Sequence, residues 1–167
     1  MASRVNAATM ELQELLTSQS VFRYEDVSVD KLEFMKDMLG RTVSGTPMES
    51  NLERIWEGLR EREVSMSTGI GLGVAIPHCS SEWVEDVVVS LAVLGKPLEF
   101  QAVDDEPVQI VVLLLMPRNR FDRHIKTLAS IARMFNDEAF RKKVIDAKDE
   151  TEIFELIQAF QDPARDQ

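Results

Sequence analysis

The sequence predicts one α/β domain in which helices cover both faces of a mostly buried sheet. Its 167 residues, 44% hydrophobic and 29% charged, suit one packed core. Helical periodicity marks both ends of the chain, whereas the middle contains short apolar runs bounded by Gly and Pro. We therefore assign residues 1–167 to a single α/β unit, and this pattern leaves the order of the strands open.

The N-terminal elements are predicted from short apolar patterns. A first short helix is expected over Thr9–Leu16, and Val21–Tyr24 reads as a short strand. Ser28 is the candidate N-cap of a second helix. The apolar face of that helix would consist of Leu32, Met35 and Leu39.

The third helix has the clearest start signal. Thr46-Pro47-Met48-Glu49 combines a capping box with Pro at the first helical position. The helix is expected to end near Arg62. Its buried stripe would contain Met48, Leu52, Ile55, Trp56 and Leu59.

The spacing of apolar residues differs between the middle and the C-terminal part of the chain. Strands are predicted at Val74–Ile76, Val87–Leu94 and Val108–Met116, and the last two are apolar enough to be covered on both faces. After Pro117 helical spacing returns, with a second capping box at Asp149 and Glu152. The three helical stripes are Ile125, Leu128, Ala132 and Phe135, then Phe140 and Val144, then Ile153, Leu156, Ile157 and Phe160.

Charge and composition narrow the possible partners. The net charge of −10 repels phosphate backbones, so we expect no nucleic-acid partner and favour a protein with a basic docking face. No apolar run is long enough for a membrane helix, and the N-terminus lacks a secretory h-region. The lone Cys79 excludes an internal disulfide and a Cys-based zinc site. We therefore expect a cytoplasmic protein with no direct membrane insertion.

His78 is the first of two candidate functional histidines. It follows Pro77, which fixes its own φ and restricts the residue before it, so the backbone entering His78 is stiff. Gly69, Gly71 and Gly73 lie just upstream and allow close backbone approach. A neutral imidazole here suits a nucleophile, and a hydrogen-bonded surface histidine is the alternative.

His124 is predicted to lie in the first turn of the helix that follows Pro117. Free backbone N–H groups and the positive end of the helix dipole make that turn an anion site, with Asp122 as a candidate cap. An exposed structural histidine is the alternative.

We assign no catalytic or ligand-binding role to three other sequence patterns. The stretch from Gly69 to Gly73 lacks the third Gly of a dinucleotide fingerprint and the Lys-Ser/Thr of a P-loop. The acids Glu85-Asp86 and Asp104-Asp105-Glu106 are expected to be solvated loop charge. Cys79 should point away from His78, because adjacent strand residues face opposite sides. Nearby acids should raise the pKa of its thiol.

A resemblance to a known family rests on three segments. The stretch 62–78, REVSMSTGIGLGVAIPH, closely resembles the phosphorylation-site signature of bacterial phosphotransferase-system enzyme IIA, fructose/mannitol class, which includes the nitrogen-regulatory IIA proteins. Residues 97–104, followed by Pro107-Val108, look like that family's link between two strands. Residues 124–128, HIKTL, look like its second active-site histidine at a helix start. The resemblance extends from about Leu12 to Phe160.

The resemblance implies a fold and a set of site residues. The fold would be a mixed sheet of about five strands sandwiched by helices, agreeing with the pattern above. His78 would be the phosphorylated nucleophile, His124 the second histidine beside it, and Arg62 the arginine that helps bind the phosphoryl group. Phosphoryl transfer mainly needs positioning and charge stabilisation, which suits these residues. Where the family often has Asn, Gly and Gly, this chain has Leu72, Cys79 and Met66.

The resemblance also implies partners. The donor would be the phosphohistidine of the phosphocarrier protein HPr, so no metal, nucleotide or other cofactor is needed. Ile70, Leu72 and Val74 would form a dry docking rim for it. The acceptor would be a IIB component or a regulatory target protein.

The final role stays open between several alternatives. A chain of this length, with no fused IIB or IIC segment, resembles the nitrogen-regulatory branch, which we favour. A sugar-transport IIA subunit feeding a separate fructose/mannitol-type IIB is the alternative. Two remoter alternatives are a non-catalytic regulatory binding module and a hydrolase in which both histidines bind a metal ion.

Overall fold

The structure is a computed structural model that describes residues 11–162, except for the side chains of residues 120–123. Within that part the chain forms six α-helices and six β-strands. The helices are α1 (Leu12–Leu15), α2 (Lys31–Val43), α3 (Leu52–Ser65), α4 (Phe121–Met134), α5 (Glu138–Ile145) and α6 (Glu150–Ala159). The strands are β1 (Val21–Tyr24), β2 (Gly69–Gly71), β3 (Val74–Ala75), β4 (His78–Ser81), β5 (Val88–Leu98) and β6 (Val108–Pro117). Short 3₁₀ turns, Pro47–Asn51 and Arg118–Arg120, precede α3 and α4.

The six strands form one mixed sheet in the order β1-β5-β6-β3-β2, with β4 also paired to β6. β1 runs parallel to β5, β5 antiparallel to β6, and both β3 and β4 parallel to β6. The expected mixed sheet between helices is confirmed.

β3 and β4 lie end to end along the same edge of β6. Val74 pairs with Ile110 and His78 pairs with Leu114, so the register is unchanged across the interruption. The interruption falls at Ile76 and Pro77. Pro77 has no N–H to give to β6, and the Ile76 N–H donates instead to the Thr68 carbonyl, 3.0 Å away. This break is one reason that the sheet has six strands where the resemblance implied about five.

Two apolar cores lie on opposite faces of the sheet. Along β6, alternate side chains enter each core, because strand residues face opposite sides in turn. The first core contains Ile110, Val112, Leu114 and Met116 of β6, together with side chains of α1, α4, α5 and α6. The second contains Val111, Leu113 and Leu115 of β6, together with side chains of α2 and α3. The sheet is therefore covered on both faces, as the apolar strand runs predicted.

The helix starts differ in detail from the sequence prediction. The described part of the first helix covers only Leu12–Leu15, and Thr9 lies outside the described residues. The assignment of Ser28 as N-cap is wrong. α2 is capped by Asp30, whose carboxylate accepts a hydrogen bond from the Glu33 N–H at 2.9 Å.

The box at Thr46 starts a 3₁₀ turn rather than the α-helix. Its hydroxyl accepts from the Met48 N–H at 3.2 Å, and the Glu49 carboxylate accepts from the Gly45 N–H at 3.3 Å. The α-helix then begins at Leu52 and continues past Arg62 to Ser65.

The second box forms largely as predicted. Asp149 accepts from the Glu152 N–H at 2.9 Å, and Glu152 accepts from the Lys148 N–H at 2.7 Å. The return bond therefore reaches one residue further back than in a standard capping box. The three predicted C-terminal helices are confirmed as α4, α5 and α6. Ile125, placed in the first apolar stripe, is instead 52% exposed.

Sequence analysis missed β2 and β4. β2 is only three residues long and contains two glycines, and β4 reads His-Cys-Ser-Ser. Neither has the apolar run that marks a buried strand. Within residues 11–162, no helix is both long and apolar enough to cross a bilayer.

Candidate functional site

His78 is the first residue of β4, at the point where the strand edge resumes after Pro77. Its neighbour Cys79 belongs to the core formed with α2 and α3. Because adjacent strand residues face opposite sides, the His78 ring lies on the other face, which α4 covers. The His78 side chain is half-buried.

One hydrogen bond fixes the state of the His78 ring. Nδ1 lies 2.7 Å from the carbonyl oxygen of Ile76. Because a carbonyl can only accept, Nδ1 carries the hydrogen and the other ring nitrogen, Nε2, has a free lone pair when the ring is neutral. Nε2 is therefore the nucleophilic atom of this residue.

The surroundings of His78 favour its neutral form. Burial lowers the pKa of the imidazole below its usual value, and the Arg62 guanidinium lowers it further. The hydrogen bond to the Ile76 carbonyl and the charge of Glu63 oppose this shift without cancelling it. At neutral pH the ring is thus in its neutral form, with Nε2 unprotonated.

We expect the NMR titration of the His78 ring in the unphosphorylated protein to have its midpoint below pH 6.5, the ordinary histidine value. The lowered pKa keeps Nε2 available into mildly acidic solution. By linkage, the stability that depends on this group is present above pH 6.5 and is lost as the pH falls through the folded value. An unstructured histidine-containing peptide is the control, and a His78 midpoint at or above that of the peptide would contradict this prediction.

Arg62 lies in the last turn of α3 and is half-buried. Its Nη1 donates to the Met66 carbonyl at 2.8 Å, which holds the guanidinium over the end of its own helix. The positive charge of Arg62 is one of the causes that lower the pKa of the His78 imidazole, after burial. The structure thus brings Arg62 and His78 into electrostatic contact although they are 16 residues apart in the sequence.

His124 lies in the first turn of α4 and is only 3% exposed. The alternative of an exposed structural histidine is therefore wrong. α4 packs on the same sheet face that carries the His78 ring. The helix begins at Phe121, so Asp122 falls inside its first turn, and the side chain of Asp122 lies outside the described residues.

The glycine-rich stretch before His78 is a tight hairpin. β2 and β3 are joined by the two residues Leu72 and Gly73, whose φ angles are 60° and 75°. A type I′ turn requires positive φ at both positions. A strand and not a helix follows this turn, so the segment does not form a nucleotide-binding loop. Leu72 adopts a conformation that Asn tolerates better, and Asn is what the family often carries at this position.

Asp104 holds this hairpin and was missed as a structural residue. Its carboxylate accepts from the N–H groups of Leu72 at 2.9 Å and Glu106 at 3.1 Å. These backbone hydrogen bonds lower the pKa of the Asp104 carboxyl. The prediction that Asp104 is a solvated loop charge was therefore incomplete. Its contact with the Leu72 N–H joins two loops that lie far apart in the sequence.

A set of six exposed hydrophobic side chains includes one residue each of α3 and α4, the helices that carry Arg62 and His124. We call it the apolar rim, and it consists of Val64, Met66, Ile70, Leu72, Val103 and Ile125. These residues come from the end of α3, the β2–β3 hairpin, the loop after β5 and the first turn of α4. Val74, expected on the rim, is instead 1% exposed and belongs to the core.

Cys79 faces away from His78, as expected. It is 5% exposed, and burial raises the pKa of its thiol to about 12. The acids that follow it in sequence are not the cause of this shift. Within the described residues, no cluster of three or more His, Cys, Asp or Glu could hold a metal ion.

We expect a thiol-reactive disulfide reagent to modify native Cys79 slowly and the urea-unfolded chain rapidly, because only the thiolate reacts and burial suppresses it. If His78 accepts a phosphoryl group, as the resemblance implies, Cys79→Ala should do so at the parental rate. Fast modification of the native protein, or loss of phosphorylation in Cys79→Ala, would show that this thiol takes part in the chemistry.

Comparison with known families decides the membership. Residues 14–160 match the family model "Phosphoenolpyruvate-dependent sugar phosphotransferase system, EIIA 2". The chain belongs to this EIIA type 2 family. That match begins within α1 and extends past the end of α6.

Individual relatives agree with this EIIA type 2 assignment. The chain is 31% identical over 153 residues to the "Multiphosphoryl transfer protein" of Shigella flexneri, covering 89% of this chain and 17% of that longer protein. It is 36% identical over 107 residues to the "Nitrogen regulatory protein" of Bradyrhizobium diazoefficiens, covering 64% of this chain and 70% of that protein.

Two solved structures share the fold. IIA-Ntr from Neisseria meningitidis matches with a TM-score of 0.74 and 25% identity, covering 87% of this chain and 97% of that one. The Escherichia coli mannitol IIA, solved in complex with phosphorylated IIB, matches with a TM-score of 0.73 and 18% identity, covering 87% and 98%. At that identity, the second match supports the fold alone.

Proposed function

We propose that this EIIA type 2 chain is a phosphohistidine carrier. It accepts a phosphoryl group from the phosphocarrier protein HPr on His78 and either passes it on or uses its phosphorylation state to regulate a partner. One observation carries the proposal. The hydrogen bond from His78 Nδ1 to the Ile76 carbonyl leaves Nε2 unprotonated, in the segment that resembles the family's phosphorylation-site signature.

The transfer step needs no cofactor. The Nε2 lone pair of His78 attacks phosphorus and a new N–P bond forms. The N–P bond to the donor imidazole breaks, and its electron pair returns to that ring. The Nδ1 proton of His78 stays in place throughout, and its bond to the Ile76 carbonyl strengthens as the ring gains positive charge.

Arg62 and His124 would stabilise the transferring group. The transition state is loose and spreads its charge over three equatorial oxygens, so it needs hydrogen-bond donors around it. Arg62 already acts electrostatically on His78. His124 adds a buried side chain in the first turn of α4, where the helix dipole favours negative charge.

The surface around the site supports HPr as the donor. The apolar rim offers six exposed hydrophobic side chains, two of them on the helices that carry Arg62 and His124, which suits the core of a protein–protein contact. The net charge of −10 would steer a partner with a basic face toward it. Phosphoryl transfer from HPr and a buried free thiol are both consistent with a reducing cytoplasm.

We favour a nitrogen-regulatory role over sugar transport. The support is the likeness to the nitrogen regulatory protein of Bradyrhizobium diazoefficiens, 36% identical, and to the IIA-Ntr structure, 97% of which is covered. In this role the phosphorylated and unphosphorylated forms would bind a regulatory target differently. The alternative is delivery of the phosphoryl group to a fructose/mannitol-type IIB.

The test combines the chain with enzyme I, HPr and labelled phosphoenolpyruvate. We expect an acid-labile, alkali-stable label that requires HPr, with the omission of HPr as control. Addition of a fructose- or mannitol-type IIB then separates the two roles. Rapid loss of label to IIB would favour transport, and a chain that takes no label at all would overturn the proposal.

A further inference from the structure

A buried carboxylate follows Arg62 directly in the sequence. The side chain of Glu63 is fully buried, at 0% exposure, and it forms an ion pair of 3.0 Å with Lys31 of α2. Burying a charge is costly unless it is paired and hydrogen-bonded. Replacing such a pair with apolar residues is often neutral or stabilising, so stability alone does not account for it.

The other hydrogen bonds described for Glu63 come from Thr68. The Thr68 hydroxyl donates to Oε2 at 2.5 Å, and the Thr68 N–H lies 3.2 Å from each carboxylate oxygen. Thr68 is itself 4% exposed. Glu63 therefore fixes both the side chain and the backbone of the residue that leads into β2.

The same segment is tied down from a second side. Lys31 also donates to the Phe100 carbonyl at 3.0 Å, and the Ser67 hydroxyl donates to that carbonyl at 2.6 Å. The start of the hairpin is thus anchored to α2, to α3 and to the loop after β5.

Two backbone steps connect Thr68 to the nucleophile. The Thr68 carbonyl accepts from the Ile76 N–H at 3.0 Å, and the Ile76 carbonyl accepts from His78 Nδ1–H at 2.7 Å. Pro77 lies between them and keeps the backbone stiff. A displacement of Thr68 would therefore be passed to the carbonyl that sets the tautomer of His78.

We propose that Glu63 and Thr68 are positioning residues for phosphoryl transfer: they hold the Ile76 carbonyl where it keeps the hydrogen on Nδ1 of His78 and leaves Nε2 directed at the donor. This inference rests on the proposed role of His78 as acceptor. Both residues act through the backbone and neither touches the phosphoryl group.

The test uses two variants at Thr68 and a control on the other side of the sheet. Thr68→Val replaces the hydroxyl with a methyl group of similar size, and Thr68→Ser keeps the hydroxyl. Thr42→Val is the control, because it removes another buried threonine hydroxyl, which is 2.7 Å from both the Met38 carbonyl and the Ser90 hydroxyl. Ser90 pairs with Leu113, so it lies on the sheet face opposite His78.

Two readouts are made on each protein. Long-range proton–nitrogen NMR of the unphosphorylated protein reports the His78 tautomer, and the labelling assay reports the rate of phosphoryl acceptance. In Thr68→Val we expect the Nε2–H tautomer to appear and the rate to fall about ten- to a hundredfold, because the reacting atom is no longer held in line. Thr68→Ser should restore both. Thr42→Val should lower the melting temperature and change neither.

The outcomes separate this inference from the function on which it rests. The positioning role would be overturned if Thr68→Val kept the parental tautomer and the parental rate. It would also be overturned if Thr68→Ser lost the tautomer and the rate to the same extent as Thr68→Val. If Thr68→Val fails to fold, Glu63→Gln, which keeps the side-chain length and an acceptor oxygen, takes its place with the same expected direction. A parent protein that takes no label refutes the carrier function, whereas the tautomer measurements still decide the positioning role.

Discussion

His78→Ala should reduce labelling from phosphoenolpyruvate to background. The variant lacks the nitrogen whose lone pair attacks phosphorus, and none of the neighbouring groups replaces it. Cys79 faces the opposite core, with its thiol pKa raised to about 12. His124 would serve as a donor to the phosphoryl oxygens and not as the acceptor, so it does not replace the missing nitrogen.

The control for this experiment is Ser80→Ala, which lies two residues further along β4 and on the same face as His78. It should be labelled like the parent. Both variants should keep the parental circular-dichroism spectrum, so that a loss of label reports chemistry and not unfolding. Parental labelling of His78→Ala would refute His78 as the acceptor.

Arg62→Gln and His124→Ala should each slow phosphoryl acceptance about a hundred- to a thousandfold, the usual effect of removing one donor to transition-state charge, or about 3 to 4 kcal/mol. The residue that carries the label should still be His78, because these groups stabilise charge and do not form the N–P bond. Rapid-quench labelling followed by peptide mapping measures both quantities.

Arg60→Gln is the matched control for the arginine, since Arg60 is exposed on the same helix and lies two residues before Arg62. Its rate should stay within about twofold of the parent, as expected for a surface change. Label on His124 in the parent, or parental rates in both Arg62→Gln and His124→Ala, would contradict the assignment of nucleophile and helpers.

The sequence predicted those parts of the fold that a periodic apolar pattern defines. β5 and β6 are long and apolar, and α4 to α6 show clear helical stripes, so all five were found. β2 and β4 escaped because their residues are small or polar. Their strand geometry comes from pairing, with β4 held by β6 and β2 held by β3.

The candidate site was only partly accessible to sequence reasoning. His78, His124 and Arg62 were recognised through a family signature. The tautomer of His78 could not be predicted from the sequence, because it depends on the Ile76 carbonyl, whose position is set by folding. Glu63 and Asp104 looked like ordinary acids among the 29 in the chain. Their roles come from contacts with residues brought near by the sheet.

The interrupted edge formed by β3 and β4 has a consequence for signalling. Ile76, two residues before His78, is bonded to Thr68 through its N–H and to the His78 ring through its carbonyl, so this segment has little freedom to change conformation. In the proposed carrier, a phosphoryl group on His78 would add about two negative charges to a surface that keeps its shape. A protein that distinguishes the two proposed forms would therefore sense the added charge, and its selectivity should weaken as salt is raised.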